Sequence, residues 1–162
     1  MKLSFAAIAL AAFLTQVSAV PATSGAPQPA TVPNCGYPTV PLLRAWSETA
    51  TDHGIAAYIL PADTQAPTAV PLFRLYSAKN RDHYLTANAT DRDATLNRGN
   101  YVSDGIAGYV YPDQECGTVP LWRLNNHVVL DNFFTTDQAE VYDFVDQLGY
   151  HDLGAMAYVN PQ

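Results

Sequence analysis

Residues 70–112 lie over residues 119–161 at a constant shift of 49 positions without a gap. A self-match of that length constrains architecture before any local reading, because it means that one supersecondary unit is used more than once. The phrase that opens the unit occurs three times, as Val40-Pro-Leu-Leu-Arg44, Val70-Pro-Leu-Phe-Arg74 and Val119-Pro-Leu-Trp-Arg123. An Asp follows each Arg by eight residues, at Asp52, Asp82 and Asp131, with His53, His83 or Asn132 next. Each unit closes on a Gly and a Tyr four apart: Gly54/Tyr58, Gly105/Tyr109 and Gly154/Tyr158. The units run over 40–61, 70–112 and 119–161, and the first is short. His83 and Gly105 are 22 positions apart, whereas His53 and Gly54 are adjacent, so the first unit lacks 21 residues at one point. It is either a degenerate unit or one whose segment was lost when the reading frame was assembled.

Within a complete unit, Pro71 suits the start of a strand and residues 72–76 are strand formers. Residues 77–80 form a polar turn, and residues 82–86 form the return strand of a hairpin. Asn88 and Asp137 then stand where an N-cap belongs, with Asp91 and Glu140 three residues on. Val141, Phe144, Val145 and Leu148 follow helical spacing up to Gly149, and Ala94 with Leu96 before Gly99 is the weaker counterpart. Residues 105–111 and 154–160 read as closing strands. The expected fold is therefore a single α+β domain over 35–162, made of three related hairpin-helix-strand units in a pseudo-threefold arrangement. A β-trefoil-like fold or a small propeller is the alternative. A first unit without return strand and helix should leave Leu42, Leu43 or Trp46 accessible, and it offers a surface for a homodimer.

Residues 1–19 combine Lys2, an apolar run and the ending Val17-Ser18-Ala19, the pattern of a secretory signal peptide. Residues 20–34, rich in Pro, Ala and Thr, read as a flexible lead-in. The formal charge of −7 disfavours nucleic acid and anionic membranes, whose phosphates are bound by Lys and Arg. No later run is long enough for membrane insertion. Cys35 and Cys116 are the only cysteines, and in an oxidising compartment they read as one disulfide. That bridge would stabilise the fold by ~4.5 kcal/mol through loop closure. The expected localisation is secreted and extracellular.

Strand alternation puts Arg74 on the face of Leu72 and Tyr76. A hairpin turn is expected to bring Arg74 to Asp82 and His83, with Arg123–Asp131 and Arg44–Asp52 as matching ion pairs. A half-buried guanidinium needs such a carboxylate. The same groups, Arg74, Asp82, His83, Tyr84, Arg123 and Asp131, with Trp46 and Trp122, make a tentative ligand site. Ten Tyr and two Trp supply flat faces with polar tips that suit sugar rings. No Ser-nucleophile motif, metal-ligand spacing or phosphate loop occurs, so no cofactor, metal or catalytic residue is assigned. Asn88-Ala89-Thr90 is an acceptor for N-glycosylation.

The motifs V-P-L-[FW]-R-L-Y, D-H-[YF]-[LF]-T and G-I-A-x-Y, with the acid-rich helix between them, resemble a repeat family of undetermined function. That family occurs in secreted fungal proteins and appended to bacterial extracellular proteins. The resemblance covers residues 40–161 and implies an extracellular module. It carries no catalytic residues over, and the chain departs from it in the short first unit and at Asn132, where His is usual. The expected function is a non-catalytic secreted module that binds glycan or cell-wall material. The alternatives are a small secreted hydrolase using Asp82 with His83, and a cell-surface structural or interaction protein.

Overall fold

The computed structural model describes residues 35–44, 54–64 and 66–162. The expected signal peptide and lead-in, together with Trp46, Asp52 and His53, lie outside the described residues. The elements in chain order are β1 Val40–Leu43, β2 Ile55–Ile59, β3 Val70–Ser77, β4 Asp82–Thr86, α1 Ala89–Asn97, β5 Val102–Val110, β6 Val119–Asn126, β7 Asp131–Thr135, α2 Gln138–Leu148 and β8 His151–Val159. They form three antiparallel sheets, of orders β1-β2, β4-β3-β5 and β7-β6-β8. Pro71 and Pro120 fit their strands because β4 pairs only Phe73 to Ser77 of β3, and β7 only Trp122 to Asn126 of β6. At each Pro the strand is an edge on that side, so the missing N–H breaks no ladder.

The expected α+β fold in a pseudo-threefold arrangement, with a trefoil or propeller as alternative, is corrected here. Of the described residues, strand accounts for 47% and helix for 17%; they form three small sheets with two helices, with no closed barrel, trefoil or propeller. The cause lies in the closing strands. Nine-residue β5 and β8 fold back along β3 and β6 instead of leaving for a common barrel, so each sheet is closed within its own segment. The first segment keeps only a two-stranded sheet among the described residues.

Among the described residues, three isolated bridges join the sheets where their last strands end: Tyr58 with Asn160, Leu60 with Tyr109, and Tyr111 with Tyr158. The approach is close at Gly108, where a Cβ would lie 2.3 Å from the Leu60 carbonyl oxygen. Only Gly fits there. Around these bridges lies one apolar core, with Leu42, Leu72, Leu121, Ile59, Val110, Val159, Leu85 and Phe134 as principal members. Leu42 is thus buried, whereas its neighbour Leu43 is 69% exposed.

Each helix covers the other face of its hairpin. Val141 of α2 packs with Leu124 and Tyr150, and the Phe144 ring stacks on Phe133 at 3.8 Å. Asp137 caps α2 by accepting the Ala139 N–H, and Gly149 ends it at φ 70°, a left-handed conformation natural to Gly. Along α1 only Thr95 is buried, and Arg92 lies over the Phe73 ring at 4.2 Å. No helix among the described residues is long and apolar enough to cross a membrane. Cys35 and Cys116 are joined in a disulfide, with Cα atoms 5.3 Å apart.

Candidate functional site

The repeated Arg meets a different partner from the one its spacing suggests. In β3 and β4 the register pairs Ser77 with Asp82 and Arg74 with Leu85. Asp82 therefore opposes a residue three positions from Arg74, and the two side chains fall on opposite faces of the sheet. Arg123 and Asp131 are separated in the same way, since Asn126 opposes Asp131. The expected Arg74–Asp82 and Arg123–Asp131 pairs do not form; the expected Arg44–Asp52 pair lies outside the described residues. Instead Arg123 reaches Asp91 of α1 at 3.3 Å and lies over the Tyr84 ring at 4.3 Å. Arg44 reaches Glu140 of α2 at 2.7 Å and lies over Phe133 at 5.7 Å. The 49-position shift relates Tyr84 to Phe133 and Asp91 to Glu140, so these are two versions of one clamp between segments.

The electrostatics of the Arg123 clamp follow from its packing. Burial alone would raise Asp91, but hydrogen bonds from Tyr84 and Thr86 and the Arg123 guanidinium outweigh it and hold the carboxyl below its ordinary value. The Tyr84 hydroxyl, donating to Asp91 at 2.5 Å, is pushed up by burial and by that hydrogen bond.

Asp82 links two sheets, and its counterpart Asp131 is bonded within its own segment. Asp82 is 4% exposed and accepts the Tyr101 hydroxyl at 2.5 Å, the Asn132 Nδ2 at 2.8 Å and the Asn132 backbone N–H at 3.2 Å. Asp131 accepts the Tyr150 hydroxyl. Burial pushes the Asp131 carboxyl up; the Tyr150 hydrogen bond opposes this, and the Asp82 charge adds to it. Burial and these carboxylates raise both tyrosines as well.

Arg74 is left facing solvent. Its Nε donates to Asp104 Oδ2 at 2.7 Å, with the side chains 45% and 42% exposed. His83 Nε2 lies 3.9 Å from the same oxygen, and the Tyr76 ring is 4.8 Å from the His83 ring. Asp104 reaches Arg74 through a bulge. Phe73 pairs with Ile106 and Leu75 with Ser103, so Asp104 and Gly105 together oppose Arg74, and Gly105 has φ 83°. An isolated Gly inside a strand pattern is the sequence signal for such a bulge, and it marks Asp104, which the sequence reading missed. Tyr76 was missed too.

Of the sequence-named site residues, then, Arg74 and His83 share the exposed patch, Asp82 ties two sheets together, Asp131 holds Tyr150 within its own segment, and Tyr84 with Arg123 forms a clamp. Trp122 packs against the Leu124, Val141 and Tyr150 cluster. Arg44 also borders an open polar hollow of about 370 Å³ lined by Thr135, Thr136, Asp137, Gln138, Glu140 and Gln162 among others. The Cys35, Glu115 and Cys116 side chains cluster, but both sulfurs are spent in the disulfide, which removes the thiolates a metal would need.

The model of a domain of unknown function, DUF5648, matches residues 44–160. The chain belongs to this family. No curated protein and no solved structure matches it. The DUF5648 match opens at Arg44 and closes at Asn160, so it contains both clamps, the exposed patch and all three inter-sheet bridges. Cys35 lies outside the match, and its bridge to Cys116 ties the preceding segment onto the DUF5648 domain.

Proposed function

We propose that this chain is a non-catalytic secreted module that binds glycan or cell-wall material through Arg74, Asp104, His83 and Tyr76. The observation that carries this reading is the solvent-facing Arg74–Asp104 pair. A guanidinium and a carboxylate side by side offer donors and acceptors to adjacent sugar hydroxyls, and the Tyr76 and His83 rings give the apolar surface against which a pyranose packs. Neutral sugars fit best, because a chain of net charge −7 repels polyanions. The signal-peptide pattern and the disulfide support an extracellular setting.

The hydrolase alternative has less support. Asp82 and His83 are consecutive strand residues on opposite faces, and Asp82 is buried under three donors. A role as a surface interaction protein, including a homodimer through the short first segment, is an outcome of the same experiment. Wild type, Arg74→Ala and His83→Ala are tested for retention on insoluble neutral polysaccharides and on a glycan array, with sedimentation of the free protein alongside. Retention lost in both variants supports the reading. No binding at millimolar sugar overturns it, and concentration-dependent self-association without sugar binding turns it into the interaction reading.

A further inference from the structure

We propose that Asn88 is a modification site that carries an N-linked glycan on its Nδ2. Asn88, Ala89 and Thr90 form an acceptor triplet, and all three residues are exposed. Asn88 is also the N-cap of α1: its Oδ1 accepts the Thr90 N–H at 2.8 Å and the Asp91 N–H at 3.3 Å. The same position of α2 shows what the cap requires. There Asp137 accepts the Ala139 N–H at 2.8 Å with a carboxylate, so an acceptor oxygen suffices. What Asn88 has beyond its counterpart is the amide nitrogen, which takes no part in the cap and is the atom that glycosylation uses.

The transfer balances without any redox partner. A lipid-linked oligosaccharide diphosphate supplies the sugar. The Nδ2–C1 bond forms as the C1–oxygen bond to the diphosphate breaks, one Nδ2 proton passes to the transferase, and the lipid diphosphate leaves. The product is still an amide, so Oδ1 continues to accept the two helix N–H groups. α1 lies over the face of β4 that carries Tyr84, whose hydroxyl meets Asp91, opposite the face of Arg74. A glycan at Asn88 therefore leaves the Arg74 patch open, and the inference stands whatever that patch binds.

The test is expression of the full chain behind a heterologous leader in a eukaryotic secretory host, with mapping of the Asn88 peptide before and after amidase deglycosylation. The expected result is a glycan mass on that peptide, with Asp at 88 after the enzyme. Thr90→Ser keeps the glycan, whereas Thr90→Ala and Asn88→Asp abolish it. Asn88→Asp should fold with an unchanged thermal midpoint, since Asp caps as Asp137 does. A secreted wild-type chain whose Asn88 peptide is unmodified overturns the proposal, as does a glycan mass on the Thr90→Ala peptide.

Discussion

Arg123 and Arg74 end the same sequence phrase at the same strand position, yet one is closed in and the other faces water. Arg123, at 19% exposure, meets an aromatic ring and a helix carboxylate from the preceding sheet's segment. Arg74, at 45%, meets an acid from its own sheet. The first segment would supply the matching ring and helix acid, but it is the one 21 residues short. The phrase therefore specifies a strand and an outward Arg, and the neighbouring segment decides whether that Arg holds the fold together or becomes a surface. Arg44 and Glu140 show that the clamp recurs wherever a helix is present to receive the guanidinium.

The largest effect expected on this contrast is at Asp82. Its carboxylate satisfies Tyr101 and both nitrogens of Asn132, which joins β4 to β7 and so holds the Arg123 clamp in place. Asp82→Ala leaves three part-buried donors without an acceptor and should destabilise by about 3 kcal/mol, read as the shift in urea midpoint. A cost below about 1 kcal/mol would mean that the sheets are joined by the apolar core alone.

Arg123→Ala comes next, at roughly 2 kcal/mol, because a part-buried ion pair and a ring contact are lost together. Arg44→Ala should behave alike. Double-mutant cycles with Asp91 and Glu140 check the pairing, and couplings near zero would show that the two clamps are incidental contacts.

The two acids respond to pH in opposite directions. Asp91 has a lowered value, so its contribution is present above the ordinary 3.8 and is lost as pH falls below that. Asp131 has a raised value, so its contribution is fullest below 3.8 and is lost as pH rises through the raised value. Asp91→Asn should therefore be less stable than wild type at neutral pH, with the gap narrowing in acid. Asp131→Asn, which can still accept from Tyr150, should equal or exceed wild type at neutral pH and converge on it near pH 3.8. Parallel pH profiles of thermal midpoint for the two variants would contradict this assignment.

What was legible in the chain was local. Asn88, Asp137 and Gly149 announce their caps through chemistry within one helical turn, and the hairpins follow from a strand pattern on either side of a short polar turn. The partners of the arginines were not legible for a specific reason. Four residues, 78–81, separate Ser77 from Asp82, which puts Asp82 at odd register from Arg74, and the eight-residue spacing does not reveal that parity. The true partners of Arg44 and Arg123 lie 96 and 32 positions away and depend on how segments pack. The mainly β character was missed for a related reason, since nothing local says that β5 and β8 return to their own hairpins for nine residues. Asp104 was readable in principle from the lone Gly105 beside it.

The smallest effect on stability should be at Arg74, and it bears most directly on function. An exposed ion pair contributes under about 1 kcal/mol, so Arg74→Ala should shift the urea midpoint far less than Arg123→Ala does. If the two substitutions cost the same, the contrast between clamp and surface fails and Arg74 is a structural residue after all. If Arg74→Ala is nearly silent in stability and also silent in polysaccharide retention, the patch is an ordinary solvated face. Near-native stability with lost retention is the expected pair of results. Asp104→Asn sharpens it, because an amide keeps the packing and a hydrogen bond to Arg74 but removes the charge. Retention should then fall less than in Arg74→Ala, which separates a polar contact to sugar hydroxyls from a simple charge effect.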